Sequence, residues 1–120
     1  MKRILLLTLI LIVPALYAQA ACTAGHGICL SWTLSTTPGI TSQVVYRGTT
    51  PGGENFITPL ATIPNGTATN SLDTTGAGGL TYYYVVEACI GTICSVPSNE
   101  ATAVFPTVPA PPTGLTATPQ

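Results

Sequence analysis

Charge is what this chain is short of. Lysine and arginine together number 3, aspartate and glutamate 4, and there is one histidine in 120 residues. So few cations cannot neutralise several phosphates, which excludes nucleic acid as a partner. An anionic membrane surface is excluded on the same ground. Metal ligands are scarce as well: no C-x-x-C occurs and His26 is the only imidazole, so a zinc site is not expected. Catalytic groups are equally thin. His26 sits between Gly25 and Gly27 with no acidic residue within ten positions, and no nucleophile-elbow motif is present. Glu54, Asp73, Glu87 and Glu100 are scattered, and all four are assigned to solubilising surface charge. The chain is therefore not expected to be an enzyme, and no cofactor is expected.

The first twenty residues have the make-up of an export signal. Lys2 and Arg3 precede the apolar Ile4 to Val13, Pro14 ends that run, and Ala18-Gln19-Ala20 fits the small-x-small cleavage pattern. Pro14 and Gln19 interrupt a stretch already short for a membrane span, so no membrane insertion is expected after cleavage. Removing residues 1–20 leaves Arg47 as the sole cation against Glu54, Asp73, Glu87 and Glu100, a net charge of −3. A lipid anchor on Cys22 is an alternative, but Gln19 stands three positions before it, where lipoprotein signals carry an aliphatic residue. The remaining chain suffices for one small domain and not for two.

All four cysteines follow this leader, in two close pairs. An even number in a short exported chain reads as disulfides. The local connectivity is favoured. Cys89 and Cys94 bracket Ile90-Gly91-Thr92-Ile93, taken as a four-residue hairpin loop. Cys22 and Cys29 bracket a turn at Ala24-Gly25-His26-Gly27.

Strand signals recur about every ten residues with no helical stripe. Ile28, Leu30, Trp32 and Leu34 alternate with polar positions, giving a half-buried strand. Gln43 to Arg47 is a second strand, and Ile57 to Ile63 is extended but confined to an edge by Pro59. Pro64-Asn65-Gly66 is a hairpin-type turn signal before a short strand from Ala68 to Leu72. After the turn at Gly76-Ala77-Gly78-Gly79 comes the longest strand, Leu80 to Ala88. Tyr82, Tyr84, Val86 and Ala88 fall on its inner face, with Tyr83, Val85 and Glu87 on its outer one. Glu100 to Val104 closes the set. The expected architecture is all-β, a two-sheet antiparallel sandwich.

Four fragments, Leu30-Ser31-Trp32-Thr33, Val45 to Gly53, Tyr82-Tyr83-Tyr84-Val85-Val86 and Pro97-Ser98-Asn99-Glu100, together resemble secreted bacterial fibronectin type III repeats over about Gly27 to Phe105. The resemblance implies that Trp32 is the core tryptophan of the second strand, and that Tyr82 is a corner tyrosine bonding back to nearby backbone. Two departures accompany it. Gln43 stands where the family carries an aromatic residue, and the first strand is short or missing. Arg47-Gly48-Thr49 lacks the aspartate of the integrin-binding tripeptide, and Asn65-Gly66-Thr67 is better explained as a turn than as a glycosylation site.

The domain boundaries expected are 1–20 for the signal, 21–105 for the sandwich and 106–120 for a proline-rich tail. Within that tail, Thr113 to Thr118 resembles the opening strand of another repeat. The resemblance implies a secreted or cell-surface spacer or binding module, with a protein or carbohydrate ligand unidentified. Tyr83 is the candidate for a binding surface. The alternatives are an accessory part of a larger secreted protein, such as a polysaccharide-degrading enzyme, and a lipid-anchored surface protein. A monomer with a projecting tail is expected, and head-to-tail donation of the tail strand is the alternative.

Overall fold

The computed structural model describes Cys22 and residues 25–120, so the leader at 1–20 lies outside the described residues. Seven strands and no helix form among them: β1 (Ile28–Ser31), β2 (Ser42–Gly48), β3 (Ala61–Ile63), β4 (Asn70–Asp73), β5 (Thr81–Ile90), β6 (Ile93–Cys94) and β7 (Ala101–Val104). They make two antiparallel sheets. One pairs β1 with β4; the other runs β3-β2-β5-β6, with β7 also on β5.

β5 is the axis of the larger sheet because its ten residues are mostly β-branched or aromatic, as a strand with neighbours on both sides requires. Its register with β2 sets Val45 opposite Val86 and Arg47 opposite Tyr84. The last strand of the sheet is broken. Pro97 cannot donate to a ladder, so β6 and β7 flank a bridge in which Ser95 and Ser98 reach β5 through both backbone and hydroxyl. The Ser98 amide donates to Val86 O at 2.9 Å, and the Val86 amide donates to Ser98 Oγ at 3.0 Å.

The core lies between the sheets and is built from Ile28, Leu30, Val45, Tyr82, Tyr84 and Phe105. Trp32, Leu60, Ile63 and Val86 are half-buried and pack against it. Trp32 anchors one end, where its indole N–H donates to Ala68 O at 2.8 Å. Phe105 anchors the other, edge-on to Tyr82 at 6.1 Å and to His26 at 5.3 Å. Gly76 permits this close approach, since a Cβ there would overlap the Phe105 ring.

Several expectations need correction. The extended segment 57–63 forms a strand only over Ala61–Ile63, past Pro59. The turn at Asn65-Gly66 makes no hairpin, because β3 pairs with β2 and β4 with β1, so the chain crosses between sheets there. The loop between the later cysteines is shorter than four residues: Ile90 pairs with Ile93, and Gly91-Thr92 alone turns the chain. Gly91 adopts φ of 58°, the positive value that a two-residue loop with glycine first demands. Val85 does not face solvent. It is buried on the outer face of the larger sheet with Val44, Tyr46 and Cys89. Phe56, from the loop after β2, lies against Tyr46 at 4.8 Å on that face.

Candidate functional site

Asp73 carries the largest correction, since it is not surface charge. It ends β4 with its side chain fully buried, and Arg47 reaches across from β2 to donate to Asp73 Oδ2 at 2.8 Å. Tyr84 donates its hydroxyl to the same oxygen at 2.8 Å. The Thr75 amide and hydroxyl donate to Oδ1 at 2.9 and 2.8 Å. Burial alone would raise the Asp73 carboxyl, but the donors from Thr75, Arg47 and Tyr84 outweigh it and hold it below the ordinary carboxylate range. Burial, with Asp73 accepting its proton, pushes the Tyr84 hydroxyl up. Burial pulls the Arg47 guanidinium down, and Asp73 more than offsets that. The guanidinium also lies 4.6 Å over the Tyr82 ring, in cation–π contact. The arrangement ties one sheet to the other, and each carboxylate oxygen accepts two hydrogen bonds from within the protein.

A second carboxyl pair joins the loop after β2 to the segment before β7. The Glu54 carboxyl is raised, chiefly by its interaction with Glu100 and then by burial, and that of Glu100 is lowered by the same interaction. Glu54 Oε1 is buried with no hydrogen-bond partner among the described residues. The Gly52 amide completes the contact by donating to Glu100 Oε2 at 2.7 Å. A split pair of this kind resembles the electrostatics of a glycosidase, but those carboxyls stand about 5 Å or more apart to admit a sugar. Here they touch, and neither lines the larger grooves of the surface. Glu87 accepts from the Tyr46 hydroxyl at 3.3 Å and completes the set of acidic residues.

Tyr82, implied by resemblance to bond back to nearby backbone, accepts a hydrogen bond from the Ala77 amide at 2.9 Å through its hydroxyl. Tyr83 is half-buried on the outer face of β5, opposite Gly48 of β2 and Thr102 of β7. Gln43 is buried at 2 % exposure, and its amide donates to Gly66 O at 3.1 Å. That bond lets a polar side chain stand in a core position. His26 is exposed, and its ring contact is with Phe105 alone among the described aromatic residues.

Both disulfides are local. Cys22 bonds Cys29 and Cys89 bonds Cys94, with Cα separations of 5.5 and 4.0 Å. A Cys22 sulfur held in a disulfide is not free to form the thioether of a lipid anchor. No group of three or more potential metal ligands occurs among the described residues, and no helix long and apolar enough to cross a membrane occurs among them.

Along one side of the sandwich the core is incompletely covered. Leu30, Trp32, Tyr84 and Val86 line a cavity of about 380 Å³ beside Ser98. A second, of about 180 Å³, continues it past Gln43 and Ala88. The two share Trp32, Thr33, Val86 and Ser98, so they form one groove between β1 and the broken last strand. The short or missing first strand read from the sequence implies an uncovered edge on this side, and the groove lies there.

No family model matches the chain, and no curated protein matches it either. Among solved structures, a crystal structure of an Fn3-like protein from Clostridium thermocellum superposes with a TM-score of 0.54. The two are 37% identical, over 72% of this chain and 83% of that one. At this identity and coverage, with two antiparallel sheets sharing one core, the chain belongs to the Fn3-like family of β-sandwich domains.

Proposed function

We propose that the protein is a non-catalytic spacer or binding module working outside the cell. The observation that carries this reading is the Fn3-like sandwich itself, a fold typical of non-catalytic modules. The internal engagement of the carboxylates supports it. Asp73 is held by Arg47, Tyr84 and Thr75, Glu54 by Glu100, and Glu87 by Tyr46. Two disulfides in so small a domain fit an oxidising compartment, and the leader-like residues 1–20 fit the route to it. Expression with and without those twenty residues tests the location. The full chain is expected in the medium or at the surface, free of thiols and shortened at the N-terminus. Retention inside the cell with four titratable thiols would overturn the reading. Binding to insoluble polysaccharides and to surface proteins, assayed beside hydrolysis of the same polysaccharides, separates module from enzyme: turnover abolished by Glu54→Gln would sink the non-catalytic role.

A second reading, an accessory part of a larger secreted protein, is favoured by the tail. Residues 106–120 carry no strand and are exposed throughout, and Thr113 to Thr118 resembles the start of a further repeat. The coding sequence beyond Gln120 tests it directly.

A further inference from the structure

We propose that the groove beside β1 is a strand-acceptor site, and that its occupant is the segment Thr113–Thr118 of a second copy of this chain.

β1 is a sheet edge. Among the described residues it pairs with β4 alone. The Trp32 amide donates to Thr69 O at 2.9 Å, which continues the ladder and fixes its phase. In an antiparallel ladder alternate residues turn their amide and carbonyl toward the same neighbour. Trp32, Leu30 and Ile28 therefore bond toward β4, and Cys29 and Ser31 present theirs on the open side. An edge of this kind pairs readily with an added strand. Beneath it the groove exposes parts of Leu30, Trp32 and Val86, side chains that belong to the core. Backbone donors and acceptors above an apolar slot are what strand addition needs.

The chain carries a segment of matching length and pattern. Leu115 and Ala117 fall on one face of an extended strand, with Gly114, Thr116 and Thr118 on the other. Leu115 and Ala117 enter the slot with Thr113 at the rim of the same face, while Thr116 and Thr118 remain outside. In the single chain this segment is exposed, with Leu115 at 96 %. Neither tail nor groove brings a charged residue to the contact, so no buried charge opposes it.

Geometry favours a neighbouring copy over the same one. His26, just before β1, packs on Phe105, just after β7, so β1 begins where β7 ends. A tail leaving Phe105 would enter its own groove parallel to β1. To lie antiparallel it must first traverse the groove and then reverse through Pro109-Ala110-Pro111-Pro112, whose fixed φ values resist reversal. A second copy is free of that restriction. Because donor and acceptor surfaces differ, the contact is heterologous and builds head-to-tail assemblies, rings or open chains.

The test uses the purified disulfide-bonded protein, with light scattering across a concentration series and the emission of Trp32, the only tryptophan. The mass of the unaltered protein is expected to rise with concentration while Trp32 emission shifts to the blue. Leu115→Asp changes an exposed side chain in the single chain, so it should fold normally, remain at one-chain mass and show no shift. A synthetic peptide of residues 112–120 added to Leu115→Asp should restore the blue shift and raise Tm by several degrees, and a scrambled peptide should not. One-chain mass at every concentration, with Trp32 unmoved by the peptide, overturns the proposal. One-chain mass in which Leu115→Asp shifts Trp32 to the red overturns it too, because the tail then closes its own groove.

Discussion

Asp73 illustrates what one buried charge does in a chain with so few. Its carboxylate receives four hydrogen bonds, one of them the ion pair with Arg47, so removing it strands Arg47 and leaves the Tyr84 hydroxyl without an acceptor. Asp73→Ala is expected to cost about 3–5 kcal/mol, the scale for breaking a buried pair, measured by chemical denaturation. The same carboxylate sets the acid limit. Its folded pKa lies below the ordinary 3.8. Its contribution is therefore complete above that value and is lost as pH falls through the lower folded one. Unfolding in acid should accordingly begin below about pH 4, and Asp73→Asn should flatten the slope of stability against pH there. Glu54 behaves in the opposite sense. Its pKa is raised from 4.5, so its hydrogen bond to Glu100 is present at low pH and lost as pH rises through the folded value. Glu54→Gln supplies a permanent donor in its place. The variant should melt higher than the unaltered protein at pH 7 and converge with it near pH 4, by thermal scans at the two pH values. A lower melting temperature at pH 7 would show that Glu100 does not accept from this position.

Among the elements, the β5–β6 hairpin shows how little the sandwich leaves to long loops. Gly91 and Thr92 turn the chain, and Cys89–Cys94 closes it across directly opposed residues. With a sequence separation of 5, the chain-entropy model assigns this disulfide about 2 kcal/mol. Cys89→Ala with Cys94→Ser should therefore lower stability by about that amount and leave the fold intact, read by urea titration. Gly91→Val would force a β-branched residue to φ of 58° and should add a further 1–2 kcal/mol. At the other end, Gly76→Ala should cost about 1–3 kcal/mol through overlap with the Phe105 ring. A variant as stable as the parent would mean that Phe105 has room to move, against its burial at 1 % exposure.

On the scale of the whole molecule, the two sheets are joined by one apolar core and one polar bolt. The larger sheet supplies Val45, Tyr82 and Tyr84, and the smaller supplies Ile28 and Leu30. Arg47 to Asp73 crosses between them on the same side as the Phe105 anchor, through Tyr82. The opposite end depends on Trp32 and its bond to Ala68. Trp32 is half-buried, so Trp32→Phe should cost about 1–2 kcal/mol, mainly for leaving the Ala68 carbonyl unpaired. Denaturant titration followed by tyrosine fluorescence checks this, since the variant has no tryptophan.

Strands, sheet count and cysteine pairing were legible from residue order because each rests on local chemistry. Alternation at Ile28 to Trp32 and Tyr82 to Ala88 sets which side chains turn inward. Cysteines seven and five residues apart can meet through a turn wherever the rest of the chain goes. The family was legible for the same reason, since its marks are spacings along the strands. Contacts between distant segments were not. Asp73 reads as surface charge until β4 is set against β1 and Arg47 arrives from β2, 26 positions away. Val85 reads as exposed until the loop carrying Phe56 folds across the outer face. Gln43 reads as a weakness until the crossing at Asn65-Gly66 brings the Gly66 carbonyl to its amide. The sequence by itself determined which residues form strands and which faces they turn inward. The tertiary structure alone decided where charge is buried and which edge stays open, because both depend on what the chain brings across from the opposing sheet.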